Sequence, residues 1–427
     1  MKPLHTAIVL FALMLFGTRS WALPFGTFDP RAQAMGGASV ALATGANAAY
    51  FNPAMLARYA VRKEMADNSR IMFPVVSVRY SETISQIDDF RNSDLETSLG
   101  NNITAFNATA SSANAQAVVD ASRALQTGLD QVSSGPFDFD ANVGFVLGIP
   151  SNQQGGAIIY NQRAVGDGVV NQTATDSALL NDYIEALTFV ASGGTQGAAH
   201  PELFDAGGNL IDQTGSLTSS ARGTGVVMTE VGMSFASEVH MLGHSFGLGI
   251  TPKYVKIDTY DLSATATDSS LSFSDGLAHD WAWNLDLGVE KPITRVWRAG
   301  LVLKNLVGRD YETGLAGNQV HIGPQLRAGV AYQKRQYQLG VDVDLTSNEA
   351  IGTGDGSQLV AFGGAWRLGR YYQLLGGIQR NLKATSDQKK VLFSGGLQST
   401  VFGVQSVLSY AYNGVERAAG VQIGYQF

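Results

Sequence analysis

Ala419-Gly420-Val421-Gln422-Ile423-Gly424-Tyr425-Gln426-Phe427 alternates without a break. Ala419, Val421, Ile423, Tyr425 and Phe427 are apolar, and only glycine or glutamine lies between them. A period of two belongs to a β-strand, whose successive side chains point to opposite faces. The same code returns upstream. Tyr337, Leu339, Val341, Val343 and Leu345 alternate with Gln338, Gly340, Asp342 and Asp344; Trp281, Trp283, Leu285, Leu287 and Val289 alternate with polar or small residues. Val231, Met233 and Phe235, and Leu326, Ala328, Val330 and Tyr332, repeat it. In a soluble sandwich the oily faces meet in a core. In a barrel crossing a bilayer they face lipid and the polar faces line the lumen. Alternation alone does not choose between the two.

Composition does. Of 427 residues, 45% are apolar and only 15% charged, with 49 glycines; soluble domains carry roughly a quarter charged residues. A lipid-facing exterior accounts for the missing charge. The net charge of −7 and the lack of a basic tract exclude a nucleic-acid partner from the reading. There is no cysteine, hence no disulfide and no thiolate chemistry. Lys2, the apolar run Ala7 to Phe16 and the small residues flanking Trp21 in Ser20-Trp21-Ala22 predict a signal peptide over residues 1–22. Downstream no stretch approaches the ~20 apolar residues of a spanning helix, and lipid tolerates no open sheet edge. A membrane location therefore requires a closed barrel.

Strands are predicted near 71–80, 137–149, 155–166, 222–237, 244–260, 279–290, 297–306, 320–333, 337–346, 357–369, 371–381, 389–399, 402–412 and 417–427. Connections after even-numbered strands are short; most of the others are longer. Short periplasmic turns and long outer loops make that pattern in bacterial barrels. The expected fold is an all-β membrane protein: an antiparallel transmembrane barrel of about fourteen strands, residues 71–427, with an N-terminal plug over 23–70 and helical extracellular insertions at 82–135 and 176–220. Trp281, Trp283, Trp297 and Trp366 fall near expected strand ends, as an interfacial girdle requires. The aromatic ending at Tyr425 and Phe427 resembles the signal by which the outer-membrane barrel assembly machinery recognises its clients.

Within the first insertion, Val118, Ala121, Leu125, Leu129 and Val132 recur at helical spacing, as do Leu95, Leu99 and Ile103. Ser93 and Glu96 have capping-box spacing. Leu180, Tyr183, Ile184 and Leu187 mark a second helical piece near 176–191. These stripes need cover, from one another and the barrel mouth or from a partner. Residues 193–220, rich in Gly, Ser and Thr, read as a mobile loop.

Near the start stand Arg31-Ala32-Gln33-Ala34-Met35-Gly36-Gly37-Ala38-Ser39-Val40-Ala41 and Asn52-Pro53-Ala54-Met55-Leu56-Ala57. Small residues, two glycines free to take positive φ, and an Asn-Pro helix start make a compact segment able to fill a lumen. These residues resemble the N-terminal signature of the FadL family of outer-membrane transporters for long-chain fatty acids and other hydrophobic compounds. The resemblance implies a hatch inside a fourteen-stranded barrel, with Arg31, Met35, Gly36, Gly37, Asn52, Pro53 and Ala54 as its motif. The plug motif, Ile71 to Tyr80 and Ile87-Asp88-Asp89-Phe90 are similar to the branch labelled conjugal transfer TraF-like protein. That label is shared with a thioredoxin-like conjugation protein, whose CxxC is missing here.

Charged residues on lumen-facing positions are Glu230, Lys253, Asp286, Glu290, Lys304, Arg327, Asp342, Asp344 and Arg367; opposite signs there are expected to pair with each other and with the plug. His240 and His244 fall in a turn and His279-Asp280 lacks a third partner, so no metal, cofactor or catalytic residue is assigned and no enzyme is expected. The expected function is a plug-gated passive channel of a Gram-negative outer membrane for a hydrophobic ligand. Its partners would be outer-membrane lipid, lipopolysaccharide and the assembly machinery. The alternative is a conjugal-transfer or adhesion component whose outer helices bind a conjugation partner.

Overall fold

The computed structural model describes residues 23–62, 69–151, 153–241, 243–265, 272–312, 319–348, 350–352, 355–385 and 390–426. The signal peptide expected over 1–22 and the terminal Phe427 lie outside the described residues.

The strands are β1 (Ile71–Ser81), β2 (Phe137–Ile149), β3 (Gln154–Asn171), β4 (Ser220–Met241), β5 (His244–Thr265), β6 (Ser272–Pro292), β7 (Trp297–Lys304), β8 (Arg309–Glu312), β9 (Gln319–Ile322), β10 (Gln325–Gln333), β11 (Tyr337–Asp344), β12 (Leu359–Leu368), β13 (Tyr372–Asn381), β14 (Val391–Val401), β15 (Val404–Tyr412) and β16 (Glu416–Tyr425). All but β8 and β9 form one closed barrel of fourteen antiparallel strands. The ring closes where β1 meets β16, from Ile71 opposite Tyr425 to Ser81 opposite Glu416. Closure leaves no edge strand unpaired, the condition a bilayer imposes on a sheet. Among the described residues no helix is long and apolar enough to cross a membrane.

The alternating code has its physical counterpart in β15. Val404, Leu408, Tyr410 and Tyr412 are exposed on the outside, while Gln405, Val407, Ser409 and Ala411 are buried inside. The run expected as one strand over 320–333 is two. Gln319–Ile322 pairs with Arg309–Glu312 in a separate two-stranded sheet, and only Gln325–Gln333 joins the barrel. Pro324 separates them, and a proline has no N–H for a ladder bond. The hairpin instead packs Tyr311, Val320 and Ile322 against Val226, Met228, Val255 and Ile257 of β4 and β5. Trp281 and Trp283 point outward, 41% and 71% exposed, but lie inside β6 and not at its end, because that strand begins at Ser272.

Strands β3 to β6 run 18 to 22 residues, well beyond the 9–11 that span a bilayer. The β1–β2 connection carries the helices α3 (Glu82–Asn92), α4 (Leu95–Ala108) and α5 (Ser112–Val132), and the β3–β4 connection carries α6 (Ala174–Ala191). Ser111 accepts from Asn114 N to cap α5, and Thr173 accepts from Asp176 N to cap α6. No capping box forms at Ser93 and Glu96. Ser93 follows α3 and donates to Phe90 O, and Asp94 occupies the cap of α4 at φ 48°. Leu99, Ile103, Phe106, Val118, Leu125, Leu129, Leu180, Tyr183 and Leu187 share one core, so the stripes cover one another. Residues 193–220 are anchored to it and not loose. Leu203, Leu210 and Leu217 enter that core, and Tyr183 Oη donates to Ile211 O at 2.5 Å.

Candidate functional site

The interior is filled by residues 23–57, which include α1 (Pro30–Ala34) and α2 (Ala48–Phe51). The barrel wall receives them through strand glycines. A Cβ on Gly363 or Gly377 would lie 2.0 Å from Met35 O or 2.2 Å from Met35 C. A Cβ on Gly249 or Gly288 would meet Ala54 N or Asn52 Oδ1 at 2.2 Å. The glycines of the small face are therefore seats for a second chain segment. Gly36 and Gly37 turn over Ile378 and Gln379 at φ 65° and 90°, a region glycine enters without steric cost.

Polar groups fix the segment in register. Asp29 accepts from Ala32 N at 2.6 Å, capping α1, and from Asn47 Nδ2 at 2.9 Å. Arg31, 1% exposed, donates to Gln338 at 2.9 Å, to Gln373 at 3.5 Å and to Gln398. Asp342 Oδ2 accepts from Ser39 N at 2.7 Å and Val40 N at 2.9 Å. Asn52, fully buried, donates from Nδ2 to Val40 O and Val289 O, both at 3.1 Å, and accepts from Ala54 N. Pro53 begins a 3-10 stretch, Pro53–Arg62. Met35 and Ala54 are buried against the wall.

The lumen charges form two groups. Lys253 meets Glu230 at 2.6 Å and Asp286 at 2.9 Å, and Lys304 lies 3.9 Å from Asp286. Lys304 also donates to Tyr50 O at 2.9 Å and sits 3.8 Å above the Phe28 ring. Arg327 donates from Nε to Asp344 at 2.5 Å, and its guanidinium lies 3.9 Å over Phe25. Asp344 accepts in addition from Leu359 N. Glu290 is buried inside. Arg367 is the exception. It is half-exposed at the turn end of β12, away from both groups. His240 and His244 flank the β4–β5 turn without facing each other: Met241 lies opposite His244 and His240 opposite Ser245.

Sequence reading passed over three parts of this interior. Phe25 and Phe28 precede the motif and carry no periodic signal, yet their rings meet Lys304 and Arg327. Asp140 binds Arg163 through both oxygens at 2.9 and 2.7 Å, and Arg79 lies 3.7 Å away. Sequence reading placed a strand over 137–149 without singling out Asp140 or its partners. The third is a cavity of about 110 Å³ above the segment, floored by Pro24, Phe25 and Thr27 and walled by Asp138, Asp140, Asp167, Arg79 and Glu416. The arrangement closes a lumen with a segment held by hydrogen bonds, ring contacts and close packing.

A sequence model of the family described as F plasmid transfer operon, TraF, protein matches residues 49–344. No curated protein matches the chain. Among solved structures, the toluene transporter TodX of Pseudomonas putida is 10% identical, with 96% of this chain and 100% of that one covered, at a TM-score of 0.46. A FadL homologue of Pseudomonas aeruginosa is also 10% identical, with the same coverage and a TM-score of 0.47.

Proposed function

The chain belongs to the family described as F plasmid transfer operon, TraF, protein; starting there and from the filled barrel, we propose that it is an outer-membrane β-barrel serving as a passive channel for small hydrophobic molecules, closed by its N-terminal segment. One observation carries the reading: a lumen sealed by a segment of the same chain that only hydrogen bonds, ring contacts and close packing retain. The outward aromatic and aliphatic side chains support a lipid-facing exterior, and the alternation of short and long connections supports helices on the outer side. The apolar cluster of Val226, Met228, Val255 and Ile257, beside Leu23 and covered by the β8–β9 hairpin, supports a greasy lining next to the segment. Tyr425, exposed at the β1–β16 seam, supports recognition by the assembly machinery. The test is flux of a hydrophobic dye into liposomes carrying the chain with and without residues 52–57. Faster entry without the segment supports a gated channel; equal background entry in both sinks it.

The second reading is a conjugal-transfer or adhesion component anchored by the barrel. It is favoured by the helices α3 to α6, which possess a hydrophobic core of their own, and by the family description. Removal of residues 82–135 separates the two: flux survives under the first reading, and partner contact or plasmid transfer is lost under the second.

A further inference from the structure

The turn end of the barrel is basic. Among the described residues it carries Lys291, Arg295, Lys334, Arg335, Arg367 and Arg370, against Glu238 and the buried Glu290. At the opposite end the helices α3 to α6 carry nine carboxylates against Arg91 and Arg123. A chain of net charge −7 is thus polarised along its axis, and the polarity needs a cause.

Four of the cations converge. Because β11 pairs with β12, the β10–β11 and β12–β13 turns are neighbours, and Arg367 N donates to Gln336 O at 2.8 Å. Between them lies an open recess of about 750 Å³ bordered by Lys334, Arg335, Arg367 and Arg370. Among the described residues no carboxylate lines it. Immediately inside stands a band of rings. Trp297 and Tyr332 lie 4.9 Å apart, Tyr332 and Tyr337 5.9 Å, and Trp366 pairs opposite Tyr337. Lys334 Nζ sits 5.6 Å from the Tyr332 ring and the Arg370 guanidinium 5.6 Å from Tyr371. Amphipathic rings settle at the headgroup boundary, so cations just beyond them stand at the depth of lipid phosphates.

We propose that this recess binds the phosphate headgroup of an anionic phospholipid in the leaflet facing the turns. The inference rests on the membrane reading above. Guanidinium forks suit phosphate oxygens, and clustered cations at a membrane surface select anionic lipid. A free phosphate ion fits the site poorly, since an open rim encloses no solute. A lipid is already held at that depth by its chains.

The experiment uses the full mature chain in neutral detergent micelles doped with phosphatidylglycerol or phosphatidylethanolamine, with retained lipid counted by native mass spectrometry. Phosphatidylglycerol is expected to be retained preferentially, and the combined variant R335Q/R367Q/R370Q to lose that preference about tenfold or more. The exposed positions leave strand pairing intact, which circular dichroism checks. Equal retention of the two lipids, or a variant that retains phosphatidylglycerol like the parent, overturns the proposal. Displacement by millimolar inorganic phosphate overturns it in favour of a soluble anion. A chain that never enters micelles or bilayers sinks the membrane reading itself, a different failure from insertion without lipid preference.

Discussion

Asp342 and Ser39 are 303 residues apart in the chain and 2.7 Å apart in the barrel. The same carboxylate oxygen also accepts from Val40 N at 2.9 Å, so one side chain of β11 holds two consecutive amides of the lumen segment. Asp342 is 2% exposed, and water does not replace it there. Its replacement by alanine leaves two buried donors unpaired, at about 1–3 kcal/mol each. Amide exchange over residues 36–43 is expected to rise at least about tenfold in Asp342→Ala and less in Asp342→Asn, which keeps an acceptor. Unchanged exchange in the alanine variant would show that the contact retains nothing.

Gly363 and Gly377 make a second test, of packing alone. Valine at either position puts carbon where Met35 and its peptide now lie. Overpacking of this kind costs about 1–3 kcal/mol. The strands have no such conflict with each other, so the barrel is expected to keep its heat-modifiable mobility on gels. A label on residue 37 should become accessible to solvent. Retained protection of that label argues that the wall yields instead of the segment.

Leu125 is 1% exposed in the core shared by α4, α5 and α6. Leu125→Ala is expected to cost about 2–5 kcal/mol. The loss should fall on the helices, read as a helical melting step at lower temperature, while the β signal is unmoved. A single transition shifted as a whole would mean that barrel and helices unfold together.

His200 joins the outer loop to α6. Its Nδ1 lies 2.9 Å from Glu202, its Nε2 3.2 Å from Glu185, and Asp182 is 3.7 Å away. Hydrogen bonds to Glu202 and then Glu185 raise its pKa above the ordinary 6.5. A group with a raised folded pKa contributes stability in full below its unfolded value and loses it as pH climbs through the folded one. Limited proteolysis between residues 193 and 216 is therefore expected to accelerate from pH 6 to pH 8.5 in the parent. In His200→Ala the rate should be fast and flat, and a parent rate without pH dependence contradicts the clamp.

The fold was legible because the lipid-facing side of each strand admits almost only apolar residues, so alternation survives strand by strand. Each of the fourteen expected strands has a counterpart in the ring, with ends displaced by a few residues. The misread stretch is instructive. Val320 and Ile322 alternate like lipid-facing residues, but they cover an apolar patch inside, and period-two patterning does not tell one apolar surround from another. The site was legible only by half. Alternation assigned Lys253, Asp286, Arg327 and Asp342 to the lumen, whereas it does not say which charges meet across neighbouring strands, and partners in the lumen segment such as Ser39, Phe25 and Phe28 carry no periodic signal. Arg367 shares the lumen parity but sits at the rim, since parity gives a face and not a depth.

The unusual length of β4 and β5 has a consequence of its own. At about 3.3 Å per residue and a tilt near 40°, 22 residues climb roughly 55 Å, about twice the ~25 Å apolar band of such barrels. One side of the cylinder therefore rises as a mast, and α6 is tied to the start of β4 through Asp176, which accepts from Thr218 N and Ser219 N, with α5 packed on α6. Any object the helices touch is met far from the bilayer, at a standoff distance set by ladder hydrogen bonds and not by a slack tether.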